Sequence, residues 1–275
     1  MEKVLYFTRH TVYTLDPAER RPKLPRPLVP LEDGLSFSDK VMIEIGKRAG
    51  VQVDCSRNGE VFDGDLDQYA AFVFWTSGSA AQLLGPASTQ GTPPISERGQ
   101  QRLFDALDAG KGLVAIRNTV SFHTEDLFGC SYNGHGPQQE CAMIVKDPDF
   151  PAVKGIGESF RITDSWYTFK NFQDDLHVVL AQGTNPPPPP GATPVSPPEP
   201  RPGSLDRPPY PAAWARQHGK RRLFYTTMGN LEQTWQDPVF QGIIQRAIPW
   251  AKGDVEADVT PDIREVTPQA NQLHW

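Results

Sequence analysis

The feature that most constrains the fold is an alternation, before Ile116, of short apolar runs with segments of helical periodicity. The runs predicted as strands are Lys3–Thr8, Val51–Cys55, Ala70–Trp75 and Gly112–Ile116, and the segments predicted as helices are Ser38–Ala49 and Ser96–Ala109. Strands that are apolar on both faces are typical of a parallel sheet covered by helices on each side. The alternation therefore predicts an α/β, doubly wound, three-layer domain with a mostly parallel central sheet.

The remainder of the chain is less regular but holds further elements. The predicted strands are Glu140–Val145, Phe160–Thr163, Leu176–Ala181 and Arg222–Thr227, the first two as an antiparallel extension of the sheet. A helix is predicted at Asp237–Ala251, with Asp237 as its N-cap and Pro238 in its first turn. Val255–Trp275 has no periodicity and is predicted to be an extended tail packed over the domain.

Two proline-rich insertions interrupt a single predicted domain at residues 1–254, which the tail at residues 255–275 follows. Residues 17–30 mix prolines with basic side chains, and residues 186–211 include the run Pro186–Pro190. Both insertions are predicted to be surface loops, because proline interrupts helices and central strands. A polyproline run can also be a ligand of SH3-type domains, although a surface insertion is the simpler interpretation.

Charge and cysteine content exclude several classes of protein. The 27 basic and 33 acidic residues give a net charge of −6 without a long basic run, which argues against a nucleic-acid groove or a polybasic membrane patch. No stretch is long and apolar enough to cross a bilayer, and no secretory signal precedes the first strand. We therefore expect a cytoplasmic protein, or a secreted or periplasmic one if a leader has been removed. Cys55, Cys130 and Cys141 form no Cys-x-x-Cys pair and are predicted to be buried thiols.

Ligands of doubly wound sheets bind where the strands end, because the carboxyl ends of parallel strands meet at one edge. The loops after Thr8, Trp75 and Ile116 are therefore the predicted site. Arg117 is the first residue after the last of these strands, and arginine is neither a nucleophile nor a general base near neutral pH. Its guanidinium could clamp a carboxylate, a phosphate or a polyol, and a salt bridge to Asp164 is the alternative.

Two histidines and an aromatic segment add candidate side chains. His123 lies in the same loop, and His135 lies between two glycines that allow close approach to a ligand, although a structural role is the alternative for both. Asp164 beside Trp166 and Tyr167 resembles a sugar-binding wall, with core packing as the alternative for Trp166. The histidines and neighbouring acids leave a divalent metal site open, and no cofactor-binding motif is evident.

A series of segments resembles one known family in sequence and in order. They are VLYFTR, FSDKVMIEIGKRAG, VFDGDLDQY, GKGLVAI, SFH, HGPQQE, GESFRITDSWY, LFYTTMGN and WAKGDVEADVTPDI. Together they resemble the trehalose-utilisation (ThuA-like) family over nearly the whole chain. The resemblance implies a flavodoxin-like, class I glutamine amidotransferase-like fold and a role in carbohydrate metabolism.

The resemblance also implies which side chains form the site. Four residues match polar positions of the family, namely Arg9, His135, Asp164 and Tyr167. Three positions differ, with Arg117 in place of a histidine, Ser165 of a glutamate and Asn230 of a histidine; His10 partly substitutes for another family histidine. Amidotransferases need a cysteine at the turn that Arg117 occupies, so amidotransferase chemistry is not expected.

Two hypotheses of different classes follow. In the first, a cleft at the strand ends binds a carbohydrate or sugar derivative and is lined by Arg9, Arg117, His123, His135, Asp164, Trp166, Tyr167 and Asn230. If the site is catalytic, as a hydrolase, lyase or isomerase, His135 is the expected general acid or base, with Asp164 and His123 as further catalytic residues and Arg117 holding an anionic oxygen. In the second hypothesis the chain is a non-catalytic binding or assembly subunit. Both leave a homo-oligomer open.

Overall fold

One sheet of nine strands runs through the described part of the chain, and its two halves differ in strand direction. The computed structural model describes residues 1–11, 25–86, 88, 90–184, 205 and 207–272. Within these residues the strands are β1 Lys3–Phe7, β2 Gln52–Ser56, β3 Tyr69–Phe74, β4 Gly112–Ile116, β5 Ser131–Val145, β6 Ser159–Lys170, β7 His177–Gln182, β8 Tyr210–His218 and β9 Arg221–Thr226. Their order across the sheet is β2-β1-β3-β4-β9-β8-β7-β5-β6.

The first five strands of that order are parallel, and every pairing from β9 to β6 is antiparallel. The helices are α1 Phe37–Arg48, α2 Ala80–Leu83, α3 Glu97–Asp108, α4 Glu232–Gln236, α5 Pro238–Lys252 and α6 Ile263–Val266. The sheet separates two apolar cores, since alternate side chains of a strand point to opposite faces. Val4 and Tyr6 of β1 belong to the core that α1 and α5 cover, whereas Leu5 and Phe7 belong to the core under α3. The predicted α/β three-layer fold class is confirmed.

Local sequence signals fix the helix ends. The side chain of Ser36 caps α1 by accepting a hydrogen bond from the Asp39 amide, and the Asp39 side chain accepts one from the Ser36 amide in return. Asp237 caps α5 as predicted, accepting hydrogen bonds from the amides of Val239 and Phe240. Such caps satisfy amide groups that the first helical turn leaves without partners.

The antiparallel half extends well beyond its predicted strands. β5 begins at Ser131 rather than Glu140, and β6 continues to Lys170 rather than ending at Thr163. The sequence YNGHGP suggests a loop, but the register shifts between Tyr132 and Gly134 and between His135 and Gln138, which accommodates glycine and proline in a strand. The strand β8 was not predicted at all, and its first two residues fall within the insertion assigned to residues 186–211.

The C-terminal tail and the two proline-rich insertions differ in how much of them the structure describes. The tail residues 255–272 contain the short helix α6, so they are not wholly extended, and the tail packs on the second core through Ile263 and Ala270. Residues 17–24 and most of 186–211 lie outside the described residues, as do 273–275. No described helix is long and apolar enough to span a membrane.

The three cysteines are free, as the sequence predicts. Cys130 and Cys141 are buried, and Cys55 is half-buried. Burial raises the pKa of the Cys141 thiol to about 11 and that of the Cys130 thiol well above its usual range. A thiol held in its protonated form is a weak nucleophile and a weak metal ligand. These cysteines therefore act as apolar side chains in the core.

The close approach of β4 to α5 yields a stability prediction. A Cβ atom on Gly112 would overlap the backbone carbonyl group of Ala251, which cannot move without shifting the end of α5. We expect Gly112→Ala to lower the free energy of unfolding by about 2–3 kcal/mol, as overpacking does in other cores. The matched control is Gly242→Ala within α5, where the new methyl group meets the flexible end of Arg246 at 2.9 Å. Because alanine is the better helix former, this control should leave stability unchanged or raise it by about 0.5–1 kcal/mol in urea unfolding.

Candidate functional site

A cleft of about 300 Å³ opens at the edge where the parallel strands end. Three parts of the chain form its walls, namely the segment from β3 to α2, the turn after β4, and the hairpin of β5 and β6. The lining residues are Ser77, Gly78, Ser79, Gln82, Asn118, Ser121, Tyr132, His135 and Tyr167. Hydroxyl, amide and aromatic groups therefore dominate the described surface, together with the imidazole of His135.

The hairpin of β5 and β6 supplies the aromatic wall of the cleft. Tyr167 pairs with His135 across the hairpin, and their rings stack with centroids 6.0 Å apart. The ring of Tyr132 meets Tyr167 edge to face with centroids 4.8 Å apart. The Tyr167 hydroxyl donates a hydrogen bond to Oδ1 of Asn118, which links the hairpin to the turn after β4. Two neighbouring strands thus fix the orientation of all three rings.

The turn after β4 has an unusual backbone conformation at Arg117. Its φ of 51° lies in the left-handed region, which residues with a side chain rarely adopt. The hydroxyl of Tyr225 donates a hydrogen bond of 2.8 Å to the Arg117 carbonyl oxygen and helps to hold this conformation. Strained turns of this kind occur where a fold presents a residue for function. Here the turn presents a guanidinium group.

The Arg117 side chain nevertheless lies behind the cleft rather than in it. It is 2% exposed, and its guanidinium donates hydrogen bonds to the carbonyl oxygens of Ser165 and Thr227 and to Oγ of Ser165. Its central carbon lies 4.1 Å from the centre of the Tyr167 ring, at cation–π distance. The expected clamp on an anionic oxygen is therefore replaced by a contact that supports the aromatic wall from behind.

Asp164 is the buried counter-ion of Arg117, as the alternative interpretation of the sequence proposed. Its Oδ1 lies 3.6 Å from the guanidinium, and the carboxylate is fully buried. It also accepts hydrogen bonds from the amides of Ser165, Gly229 and Asn230 and from the hydroxyl of Thr234. A carboxylate with this many internal donors holds the β9–α4 segment against β6 and does not reach the cleft.

The three positions that depart from the family pattern touch one another. Oγ of Ser165 accepts a hydrogen bond from Arg117 at 2.8 Å and from the Asn230 side chain at 3.2 Å. The predicted ligand-binding group Asn230 thus contributes to this internal network. The substitutions form one hydrogen-bonded unit behind the cleft.

Three further predicted site residues also lie outside the cleft. Arg9 is fully buried and donates to the carbonyl oxygen of Gly85, and burial lowers the pKa of its guanidinium. His123 packs edge-on against Phe104, and partial burial lowers its pKa. Trp166 belongs to the apolar core and donates its indole N–H to a backbone oxygen, as its packing alternative proposed. Of the eight residues predicted from the sequence, the structure brings His135 and Tyr167 into the cleft.

The sequence analysis missed most of the polar lining. Ser77, Ser79 and Gln82 follow the strand that ends near Trp75, and this loop was among the three predicted to form the site. Strand position was therefore a usable signal, although no motif marks these residues. Tyr132 was missed because the predicted β5 began after it.

The candidate metal ligands lie apart from one another in the part of the chain that the structure describes. Within the described residues, no group of three histidine, cysteine, aspartate or glutamate side chains converges as metal ligands do. The predicted candidates are dispersed, since Asp164 is buried in its own network, His123 packs on α3, and His135 lies alone in the cleft. We therefore derive no step through a divalent metal.

The fold and this edge of the sheet define a class of protein. A parallel half-sheet between two helical layers, with a cleft beside the turn after β4, is consistent with the flavodoxin-like, class I glutamine amidotransferase-like fold. This chain carries Arg117 at the turn.

The chain belongs to the ThuA family. The family model described as "ThuA: Trehalose utilisation" matches residues 33–251. Similar solved structures include ThuA-like proteins from Bacteroides uniformis, 13% identical over 91% of each chain with a TM-score of 0.61, and from Parabacteroides merdae, 16% identical over 94% of each chain with a TM-score of 0.61. PurLQS from Thermotoga maritima is 12% identical over 91% of this chain and 99% of its own, with a TM-score of 0.51. A comparison with curated proteins returned no match.

The buried pair behind the cleft yields a second stability prediction. Arg117→Ala leaves the Asp164 carboxylate buried without its cation, so we expect the free energy of unfolding to fall by about 3 kcal/mol or more. Arg117→Lys keeps the charge but not the planar fork and should lose less. The control is Arg264→Ala, which removes an exposed pair with Asp174 and should leave stability nearly unchanged. Equal losses from the buried and exposed variants in denaturant unfolding would contradict a supporting role for Arg117.

His10, beneath the loop that carries Ser77, yields a pH prediction. The side chain is buried edge-on against Trp75, and burial lowers its pKa from 6.5 to about 4. Between these two values the unfolded chain binds a proton that the folded chain excludes, so stability should fall as the pH drops from about 6.5 to about 4. His10→Gln should flatten this part of the stability profile, whereas His218→Gln at an exposed site should flatten it much less. Parallel profiles for the wild type and His10→Gln would contradict the prediction.

Proposed function

We propose that the cleft binds a carbohydrate or a sugar derivative. The observation that carries this proposal is the pairing of an aromatic wall, formed by Tyr132, Tyr167 and His135, with uncharged hydrogen-bonding groups on the opposite segments. Flat rings pack against the apolar faces of a sugar, while amide and hydroxyl groups bond its hydroxyls. The trehalose-utilisation description of the family supports the same class of ligand.

His135 is the candidate acid–base group of this site. Its side chain is exposed at the cleft, and its Nδ1 lies 3.0 Å from the Gly136 carbonyl oxygen. A carbonyl oxygen only accepts, so the neutral ring carries its proton on Nδ1 and offers Nε2 as the basic nitrogen. In a catalytic function, Nε2 would take a proton from a bound sugar hydroxyl or from an adjacent carbon and then return it. Hydrolase, lyase and isomerase reactions all use such a step.

A second candidate function, binding without turnover, has its own supporting observation. The Asp164 carboxylate, which the family resemblance places in the site, is fully buried and its oxygens are occupied by internal donors. Among the described residues, Asp164 therefore does not serve His135 as the carboxylate partner that commonly orients a catalytic histidine. A binding or assembly subunit would need the aromatic wall but no proton transfer.

If the cleft binds a carbohydrate, substitutions in its lining should abolish binding, and His135→Ala should do so without lowering the stability of the fold. We expect a panel of disaccharides, keto-sugars and sugar acids to contain at least one compound that raises the melting temperature of the full chain by a few degrees. Tyr132→Ala and His135→Ala should abolish this shift, while the melting temperature of His135→Ala without ligand stays close to that of the wild type because the side chain is exposed. His218→Ala, which removes an exposed histidine elsewhere, is the matched control and should retain the shift.

His135→Gln then distinguishes the two functions. If the protein is an enzyme, this variant binds the same compound but no longer converts it, as followed by NMR of the sugar. If it is a binding subunit, neither protein converts the compound. A panel in which no carbohydrate shifts the wild type would overturn the proposed function.

A further inference from the structure

We infer that the cleft selects uncharged sugars over anionic ones and that the Ser77 hydroxyl is one of its ligand-binding groups. This inference rests on the proposed carbohydrate function and narrows its substrate class. Two independent observations carry it, namely the placement of the nearby charges and an unused hydroxyl at the cleft.

Among the described residues, no side chain with a permanent charge faces the cleft. Of the described residues that line it, none is an aspartate, glutamate, lysine or arginine. Arg9 and Arg117, which the sequence proposes as ligand clamps, point their guanidinium groups into backbone carbonyl oxygens. A carboxylate or phosphate entering the cleft would lose part of its hydration without gaining an arginine or lysine from the described residues, which disfavours its binding.

The positive charge of Arg117, which lies behind the Tyr167 ring, is balanced by the buried carboxylate of Asp164. Oδ1 of Asp164 lies 3.6 Å from the Arg117 guanidinium, and the Asp164 side chain is fully buried. A cation paired at this distance presents little net field to a ligand on the far side of the Tyr167 ring. The pair therefore orients the ring without attracting anions.

Ser77 supplies the second observation. It is 1% exposed, it lines the cleft, and its Oγ has no hydrogen-bond partner among the described residues. Its backbone is fixed from both sides, because the Ser77 carbonyl accepts from Thr11 and the Ser77 amide donates to the Arg9 carbonyl oxygen. A buried hydroxyl without a partner costs free energy that a ligand hydroxyl would recover.

The size of the cleft sets the scale of the ligand. At about 300 Å³ it lies at the lower end of the range of small-molecule sites. Such a cleft has room for a sugar ring, and it is open enough for a further ring to extend from it. The inferred ligand is therefore an uncharged monosaccharide unit, free or at one end of a glycoside.

The experiment compares matched pairs of sugars on the full chain by thermal shift and by ligand-observed NMR. The probes are glucose with glucuronate, galactose with galacturonate, and glucose with glucose 6-phosphate. We expect an uncharged member of these pairs to bind at least about tenfold more tightly than its anionic partner. This ratio is a lower bound, because leaving a fully buried charge without its counter-ion reduces affinity by more than tenfold.

Ser77→Ala tests the hydroxyl directly. We expect the affinity for the uncharged sugar to fall about three- to tenfold, the effect of one hydrogen bond. The melting temperature without ligand should stay constant or rise, because none of the described residues forms a hydrogen bond with this hydroxyl. The matched control is Thr76→Val, which removes a neighbouring buried hydroxyl that likewise lacks a partner among the described residues but does not line the cleft. The control should bind as the wild type does.

The outcomes separate this inference from the proposed function. Anionic sugars that bind as tightly as uncharged ones, or more tightly, would overturn the charge selectivity while the carbohydrate function stands. Unchanged affinity in Ser77→Ala would overturn the role of its hydroxyl. Absence of binding by every sugar in the pairs and in the wider panel would overturn the proposed function itself.

Discussion

The buried ion pair of Arg117 and Asp164 fixes the geometry on which the cleft depends. In the sheet β6 lies four positions from β9, so strand pairing alone does not bring these two strands together. Arg117, in the turn after β4, links them. Its guanidinium donates hydrogen bonds to the backbone oxygen of Ser165 in β6 and to that of Thr227 after β9. Asp164 ties the same strand to the β9–α4 segment. The antiparallel hairpin is thereby held across the carboxyl edge of the parallel strands, where it becomes one wall of a cleft.

The fold could be predicted from the sequence wherever short-range pattern determines structure. The predicted β4 has the observed limits, and Asp237 caps α5 as expected, because apolar periodicity and capping act within a few residues. The prediction failed where long-range pairing overrides local preference. Gly134 and Pro137 disfavour strands, yet the hairpin partner and two register shifts keep them in β5. Residues of β8 adjoin a proline-rich insertion, and their strand conformation comes from pairing with β7 and β9.

The position of the candidate site could be predicted from the sequence, but most of the residues that line it could not. Parallel strands end at one edge whatever their side chains, so the loops after β3 and β4 were identified as site-forming. A polar side chain faces the cleft only if it is not held elsewhere by hydrogen bonds or an ion pair. The sequence alone does not show which side chains form such contacts. The sequence suggests a ligand-binding role for both Arg117 and His135. In the structure, Arg117 pairs with the buried carboxylate of Asp164, whereas His135 remains exposed. Ser77 carries no sequence signal, because its relevance comes from being buried at the cleft without a partner among the described residues.

The departures from the family pattern are explained better as one change than as three. The family resemblance places histidine, glutamate and histidine at the positions of Arg117, Ser165 and Asn230, and here these three residues bond to one another. The short side chain of Ser165 accepts a hydrogen bond from Arg117, whereas a glutamate at this buried position would add a second carboxylate beside Asp164. Arginine supplies the cation that Asp164 needs, and serine supplies an acceptor to both Arg117 and Asn230. The polar groups at these positions thus support the wall of the cleft from behind, and His135 is the family-matched histidine that lines it.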